Sequence, residues 1–166
     1  GVLHNADALT AVFNPTVNSY KRIDAQVTLS GATWSPNAIT YGGNNRTHMV
    51  RVPDAGRFEL RLMDGAVNPY LLQAGMLAAG LDGVASKRDP GKPLDINMYT
   101  HGHTLKGVRR LPSNLLDAIR LFEKSKVLRA GLGDALIDSY AKLKHQDWRN
   151  YSASISQWER EHTLDC

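Results

Sequence analysis

Two stretches of alternating apolar and polar residues form the clearest local pattern in the chain. Residues 47–53 and 57–63 both alternate, and the three residues between them end in Gly56. Glycine is favoured where a hairpin loop needs a left-handed residue, so the pattern predicts a β-hairpin. The predicted cross-strand pairs are Pro53 with Arg57, Arg51 with Glu59, and Met49 with Arg61.

Alternation also separates the two faces of this hairpin, because side chains two residues apart in a strand point to the same side. The polar face is predicted to carry Arg51, Arg57, Glu59 and Arg61. The apolar face is predicted to carry Val50, Val52, Phe58, Leu60 and Leu62. We therefore expect a row of charged side chains on a strand whose opposite face packs against a core.

Helical patterns flank the hairpin. A first helix is predicted to run to about Val12 and to end before Asn14-Pro15, because a residue that precedes proline is pushed out of the helical region. Residues 14–45 are predicted to be mostly loop with short strands. Asn68-Pro69 supplies an N-cap and a first-turn proline for a helix to about Val84. This helix is apolar on nearly every side, which predicts that it is buried.

Two further helices are predicted in the last third of the chain. Ser113 is the expected cap of the first and Asp134 the expected cap of the second. The second carries an apolar stripe that we expect to pack on the sheet or on a partner subunit. The stripe consists of Ile137, Tyr140, Leu143, Trp148, Tyr151, Ile155 and Trp158. The loop over residues 89–103 is predicted to be exposed.

Composition excludes several classes of protein. Apolar residues make up 42% of the 166 and charged residues 22%, as in ordinary globular proteins. Residues 70–84, the longest apolar stretch, are interrupted by polar residues and fall short of the roughly 20 residues that a membrane span needs. Cys166 is the only cysteine, so no intrachain disulfide is possible and a cytoplasmic location is expected. A helical pattern that begins directly at Gly1 indicates a fragment of a longer protein.

Positive charge is concentrated in one segment. The net charge is +4, and between Asn14 and Arg61 six basic residues stand against three acidic ones. Five of these six are arginines, whose planar guanidinium suits carboxylates and phosphates. The simplest interpretation is a ladder of ion pairs on a solvated face. Glu59 alone does not neutralise the surrounding arginines, however, and this favours a site for an anionic substrate.

A polyanion-binding module, with nucleic acid as its ligand, is an alternative from a different functional class. A basic patch is the electrostatic footprint of such proteins. Single-stranded nucleic acid is usually bound by aromatic side chains as well as by basic ones. No exposed aromatic residue is expected among the arginines of this segment, which disfavours the alternative.

Four motifs occur in an order and at spacings similar to those of the glutamine synthetase family. They are Asn14-Pro-Thr-Val-Asn-Ser-Tyr-Lys-Arg22, Asn45-Arg46 followed by Val50-Arg-Val-Pro53, Arg57-Phe-Glu-Leu-Arg61, and Asn68-Pro-Tyr-Leu71 leading to Ala78-Ala-Gly-Leu-Asp-Gly83. Residues 29–34 resemble the branch of type III enzymes and γ-glutamylmethylamide synthetases. The resemblance implies an α+β fold with an antiparallel sheet partly covered by helices. Residues 1–166 would then be the C-terminal portion of the catalytic domain, without the N-terminal domain and the first catalytic strands.

The resemblance also implies roles for the charged residues. Arg22 and Arg61 would hold the substrate glutamate, and Arg46, as the catalytic residue, would face the phosphoryl group in transfer. Arg51 and Arg57 would contact ATP phosphates, and Glu59 would be one ligand of Mg²⁺ or Mn²⁺. In this chemistry ATP phosphorylates the γ-carboxylate of glutamate, and ammonia then displaces phosphate. Methylamine or another small amine is the alternative acceptor. We expect these side chains to face a common cavity.

The resemblance also implies an oligomeric state, and the sequence departs from the family pattern at several positions. The family forms large homo-oligomeric rings, so the full-length protein is expected to form one, with no nucleic-acid or membrane partner. The isolated chain is expected to be inactive, or to serve only as an assembly piece. Further metal ligands near Glu59 are limited to Asp54 and His48, and Asp24 is the only acid near the position of the family's flap glutamate. Tyr99 resembles a tyrosine that some bacterial members adenylylate, although the residues that follow it differ.

Overall fold

The computed structural model describes residues 1–23, 25 and 35–163. Helices dominate these residues. Along the chain, the strands of a small sheet come between the first helix and the long third one. The helices are α1 (Val2–Phe13), α2 (Ser19–Arg22), α3 (Pro69–Ala85), α4 (Met98–His101), α5 (Leu115–Lys124), α6 (Lys126–Leu132), α7 (Asp134–Ser152) and α8 (Gln157–His162). The strands are β1 (Tyr41–Gly42), β2 (Val50–Asp54) and β3 (Arg57–Leu60).

The predicted boundaries of the early helices are confirmed. α1 ends at Phe13, one residue beyond the expected end and before Pro15. α3 begins at Pro69, and the Asn68 side chain accepts hydrogen bonds from the backbone amides of Tyr70 (3.0 Å) and Leu71 (3.3 Å). The capping residue and the proline therefore act as local rules predict.

Both caps predicted for the later helices were wrong. Asn114, not Ser113, caps α5, since its side chain accepts from the Asp117 amide at 2.9 Å while its own backbone is extended. Asp134 is the first residue of α7 and makes no cap. Its carboxylate instead accepts from Arg129 at 2.9 Å, and Gly133 with φ +85° makes the turn into the helix.

The core is formed mainly by helices. α1 packs against α3 and α5, and α5 packs in turn against α7. The Phe122 ring on α5 meets the Tyr140 ring on α7 edge to face, with centroids 5.3 Å apart. The largest fully buried side chains include Leu9, Phe13, Leu115, Ile119, Phe122 and Ile137. The sheet joins this core through Met49, Val50 and Leu62.

α3 is not buried as predicted. Only Gly75 and Ala79 of this helix are buried, and a Cβ on Gly75 would lie 3.1 Å from Leu9. Small residues therefore let α3 approach α1 closely. Leu71, Leu72 and Met76 are partly buried against the core, whereas Tyr70, Leu77, Leu81 and Val84 are 65–82% exposed. The prediction failed because apolar residues surround the helix, whereas the described residues cover only one side of it.

The apolar stripe of the last helices packs on helices instead of on the sheet. Ile137 is buried and Tyr140 and Trp148 are packed against the core. Residues of the stripe that remain exposed are Leu143, Tyr151, Ile155 and Trp158. α7 contacts α5 and α6, and the chain turns after Ser152, so Trp158 belongs to the separate helix α8.

The sheet is mixed, with the order β1-β2-β3. β1 pairs in parallel with β2, and β2 pairs antiparallel with β3. The α+β class is confirmed, whereas the wholly antiparallel sheet is not. Residues 43–49 connect the end of β1 to the start of β2 and reverse the chain, so that β2 runs in the same direction as β1. Elsewhere in residues 14–45, α2 and an isolated bridge between Ile23 and Ser35 interrupt the predicted loop.

The hairpin register is confirmed except near its turn. Arg51 lies opposite Glu59, and the Arg61 amide donates to the Met49 carbonyl at 2.8 Å. Asp54 pairs with Arg57 in place of Pro53, and the register shifts between Arg51 and Asp54. Pro53 has no backbone N–H to give to the ladder, which explains an irregularity at this point. The turn comprises residues 55–56, with φ +83° at Gly56.

The apolar face of the hairpin is only partly covered. Val50 and Leu62 are buried, as predicted, but Phe58 is 51% exposed. Phe58 lies next to the turn, beyond the part of the hairpin that contacts the core. Among the described residues, no helix combines the length and the apolar character needed to cross a bilayer.

Candidate active site

The first group of predicted site residues lies on the hairpin and in the turn that precedes β2. We call Arg46, Arg51, Asp54, Arg57 and Glu59 the hairpin cluster. The Nη1 atom of Arg51 donates to both carboxylate oxygens of Glu59, at 2.8 and 2.7 Å. Arg51 also donates through Nε to the Asn44 side-chain oxygen at 2.9 Å, and its Nη2 donates to the same oxygen. The side chain of Arg51 is thus held from two sides and is only 12% exposed.

Arg57 of the hairpin cluster is held more loosely than Arg51. Nε of Arg57 lies 3.6 Å from Asp54, and Nη2 lies 3.9 Å from Glu59. The Arg57 side chain is 61% exposed, so solvent weakens both ion pairs. The hydrogen bonds from Arg51, helped by the charges of Arg57 and Arg46, hold the pKa of Glu59 below its usual range. Cations and carboxylates of this cluster therefore largely compensate one another.

The second group lies where β3 ends, and we call Arg22 and Arg61 the strand-end pair. Arg22 is the last residue of α2. Its Nη2 donates to the Asn14 side-chain oxygen at 2.9 Å and to the Leu62 carbonyl at 2.8 Å. Among the described residues, neither Nε of Arg22 nor Nη1 of Arg61 has a hydrogen-bond partner, although both atoms are buried. Buried donors of this kind are costly unless an acceptor reaches them.

Electrostatics link the members of the strand-end pair. Burial lowers the pKa of the Arg22 guanidinium, Asp64 opposes this effect, and the nearby positive charge of Arg61 adds to it. Asp64 follows β3, and its carboxylate accepts a hydrogen bond from the Ala66 amide at 2.8 Å. The Arg22 guanidinium thus lies near a second cation, Arg61, and near one carboxylate, Asp64. This arrangement favours binding of an additional anion.

The six predicted residues fall into two groups within the described residues. The first comprises Arg51, Arg57 and Glu59 on the hairpin with Arg46 in the turn before β2, and the second comprises Arg22 and Arg61 at the strand end. A cavity of about 730 Å³ lies elsewhere, between the N-terminus and the loop after α3. Its lining includes His4, Tyr41, Arg88, Lys92 and Arg109, and none of the six predicted residues. A cavity shared by the six residues stays a prediction.

The described residues offer few ligands for a metal ion. Within the described residues, no three His, Cys, Asp or Glu side chains are grouped so as to hold a metal. Both oxygens of Glu59 accept from Arg51. His48 is fully buried with Nδ1 3.0 Å from the Thr40 hydroxyl, and burial lowers its pKa. His48 thus belongs to the core, and this part of the chain does not make up a metal site by itself.

Two residues near the strand-end pair, Asn14 and Asp64, were not predicted to belong to the site. Asn14 belongs to the first motif, but its contact with Arg22 and Leu62 depends on tertiary structure. Asp64 stands three residues after Arg61 and influences Arg22 through space. The sequence carried one sign of a role for Asn14, since it is a polar residue at the position where the first helix ends.

A model of the family described as glutamine synthetase, catalytic domain, matches residues 1–163. The chain belongs to the glutamine synthetase family. A glutamine synthetase of Rhizobium leguminosarum bv. phaseoli is 59% identical over 165 residues, which are 99% of this chain and 38% of that protein. A glutamate–methylamine ligase of Methyloversatilis universalis is 46% identical over 162 residues, or 96% of this chain and 36% of that protein.

Solved structures of family members agree with this assignment. The structure titled "GmaS/ADP complex-Conformation 1" superimposes with a TM-score of 0.92 at 60% identity, over 99% of this chain and 38% of that chain. The structure titled "Apo GmaS without ligand" gives a TM-score of 0.89 at 55% identity, over 99% and 37%. The chain therefore spans well under half the length of the family members that it matches.

The loop over residues 89–103, predicted to be exposed, also carries Tyr99, His101 and His103. Tyr99 lies in α4, where its backbone amide donates to the Asn97 side chain at 2.9 Å. His101 has Nδ1 2.7 Å from the Thr100 hydroxyl, and His103 lies in a 3-10 turn over Gly102–Thr104. Both histidines are exposed, as predicted. Asp24, residues 29–34 and Cys166 lie outside the described residues.

Proposed function

We propose that the protein to which this chain belongs is an ATP-dependent ligase that amidates the γ-carboxylate of glutamate with ammonia through γ-glutamyl phosphate. Residues 1–166 would form the C-terminal portion of its catalytic domain. The observation that carries the proposal is the strand-end pair, in which Arg22 and Arg61 each keep a buried N–H without an acceptor among the described residues.

Glutamate suits the strand-end pair chemically. A guanidinium binds a carboxylate through charge-assisted hydrogen bonds, and two guanidiniums can hold one carboxylate or two. The Arg22 guanidinium is already fixed by Asn14 and Leu62. Little side-chain entropy is then lost when the substrate binds, which favours affinity and orientation.

The hairpin cluster suits phosphate groups. We propose that Arg51 and Arg57 contact the phosphates of ATP and that Arg46 faces the phosphoryl group in transfer. Arg57 and Arg46 are exposed, and the ion pairs of Arg57 are long, so these side chains can turn towards an anion. Arg51 is already bound to Glu59 and Asn44, and its contact with a phosphate would have to share or replace one of these bonds. Guanidiniums in such positions offset charge that accumulates during phosphoryl transfer.

The cofactors would be ATP and Mg²⁺ or Mn²⁺. A divalent cation prefers carboxylate oxygens and offsets phosphate charge when bound. We propose Glu59 as one ligand, with the other ligands coming from the part of the protein outside this chain. The support is indirect, because Glu59 is a carboxylate with a lowered pKa beside the proposed phosphate-binding arginines.

Methylamine is the second candidate for the accepting amine. The specific support is the 60% identity to a structure titled as GmaS, together with the glutamate–methylamine ligase at 46% identity. The relative named glutamine synthetase at 59% identity supports ammonia. Because the two degrees of likeness are nearly equal, the choice of amine rests on direct assay.

We further propose that the full-length protein is cytoplasmic and forms a large homo-oligomeric ring, and that the isolated chain is inactive or only an assembly piece. The exposed apolar side of α3 supports an assembly in which other surfaces cover it. A polyanion-binding module has less support, since Arg51 is engaged by Glu59 and Asn44. Binding to nucleic acid that weakens steeply with salt would favour that alternative.

The test is an assay of the full-length protein with glutamate and ATP, supplied with either ammonia or methylamine. We expect phosphate release that requires glutamate and one of the two amines, and formation of the matching γ-glutamyl amide. The isolated chain of 166 residues serves as the control and should release none. Absence of amide product with either amine would contradict the proposed activity.

A further inference from the structure

Asn14 lies at the junction between the first helix and the strand-end pair. It is the C-cap of α1, and its backbone amide donates to the Thr10 carbonyl at 2.8 Å. The side chain is fully buried. A buried amide must have its hydrogen-bonding groups satisfied, so its partners are informative.

The partners of the Asn14 side chain form a closed triangle. Its Nδ2 donates to the Leu62 carbonyl at 3.0 Å, and its Oδ1 accepts from Nη2 of Arg22 at 2.9 Å. The same Nη2 donates to the Leu62 carbonyl at 2.8 Å. Arginine can only donate and a carbonyl can only accept. A side chain between them must therefore both accept and donate, and an amide of this size does so.

This triangle couples the two arginines. Leu62 directly follows Arg61, whose backbone amide is held by the Met49 carbonyl at 2.8 Å. A second bond, from the Asp64 amide to the Phe13 carbonyl at 3.1 Å, also joins the end of α1 to the segment after β3. Arg22 is thus fixed relative to the backbone that carries Arg61.

We propose that Asn14 is a positioning residue for the glutamate subsite, which holds the Arg22 guanidinium against the Leu62 carbonyl and so sets the spacing of the Arg22–Arg61 pair. This inference rests on the proposed function, because it takes that pair as the glutamate-binding groups. Asn14 itself touches no substrate. Its effect on glutamate must therefore pass through Arg22.

The test is steady-state kinetics of the full-length ligase carrying Asn14→Ala, with glutamate and ATP varied separately. We expect the KM for glutamate to rise about tenfold, because a hydrogen bond to a charged group is lost. The KM for ATP should stay near the wild-type value. Asn5→Ala is the matched control, since Asn5 is a buried asparagine of the same helix whose side chain bonds to Gly1 and Asp82 instead.

A merely structural role predicts a different pattern. Asn14→Ala would then lower thermal stability as Asn5→Ala does and leave the KM for glutamate unchanged, and that result would overturn the proposal. If Asn14→Ala does not fold, Asn14→Asp carries the test. It keeps an oxygen for Arg22 but turns a second oxygen towards the Leu62 carbonyl, so we expect a rise of about threefold in the KM for glutamate. A wild-type KM in this variant would equally overturn the proposal.

Arg22→Ala separates this inference from the proposed function. If Arg22 binds glutamate, Arg22→Ala raises the KM for glutamate, and adding Asn14→Ala to it produces no further rise. Additive effects of the two substitutions would show that Asn14 does not act through Arg22. An unchanged KM in Arg22→Ala alone would instead contradict the proposed glutamate site.

Discussion

The hairpin cluster and the strand-end pair are built from the same residue type but differ in how their charges are met. On the hairpin, Glu59 accepts two hydrogen bonds from Arg51, and Arg57 lies near two carboxylates. At the strand end, Arg22 and Arg61 each retain a buried N–H without a partner among the described residues. Most charges of the hairpin cluster thus have a partner, whereas the strand-end pair would gain hydrogen bonds if a carboxylate were bound.

This difference shows that the number of arginines indicates an anion-binding site less well than the burial and the hydrogen-bond partners of each guanidinium. Exposed ion pairs contribute little to stability and exchange partners easily. Buried donors without acceptors carry a cost that a ligand removes on binding. This difference supports the proposal that the strand-end pair orients the substrate and that the hairpin cluster makes adaptable phosphate contacts.

The largest expected effect comes from removing the strand-end pair's second member. Arg61→Ala in the full-length protein should lower turnover by about 100-fold or more, as expected when a group that holds the substrate in its reactive orientation is lost. The fold should remain intact, because Nη1 of Arg61 makes no hydrogen bond within the described residues. Turnover and thermal unfolding of the same preparation check both points. Normal turnover would count against the substrate assignment.

A smaller effect is expected from the ion pairs of the hairpin cluster. A double-mutant cycle with Arg51→Ala and Glu59→Gln should give a favourable coupling in thermal stability, since Nη1 of Arg51 reaches both oxygens of Glu59. The matched cycle with Arg57→Ala and Glu59→Gln should give a coupling near zero, because that pair is 3.9 Å apart and the Arg57 side chain is largely exposed. Equal couplings would contradict the distinction between tight and loose cations.

The smallest effect is a pH dependence of hairpin stability. The pKa of Glu59 is lowered from its usual 4.5 in the folded protein, so its contribution is complete above that pH and is lost as the pH falls through the lowered folded value. The difference in melting temperature between wild type and Glu59→Gln should be constant near neutral pH and shrink below pH 4.5. A difference that grows on acidification would have the wrong sign.

Local rules were sufficient for parts of this fold. Alternation and Gly56 predicted the hairpin and the facing of Arg51 and Glu59, and Asn68-Pro69 predicted the start of α3. These features depend on residues close in sequence. The shift at Asp54 did not follow from alternation alone, because it depends on how a ladder adapts to a proline without an N–H.

Features that depend on distant residues were not predictable in the same way. The exposure of α3 depends on which surfaces cover it, and its composition alone indicated burial. The division of the arginines into two groups depends on contacts such as that of Arg22 with Leu62, 40 residues away. The motifs identified the charged residues, but the grouping of Arg22 with Arg61 required the tertiary structure.

Equilibrium binding of glutamate tests the central claim most directly. Calorimetric titration of the full-length protein should be carried out for wild type, Arg61→Ala and the matched hairpin variant Arg57→Ala. We expect Arg61→Ala to weaken the Kd for glutamate by at least about tenfold and Arg57→Ala to leave it within about twofold of wild type. Normal binding by Arg61→Ala together with lost binding by Arg57→Ala would contradict the account.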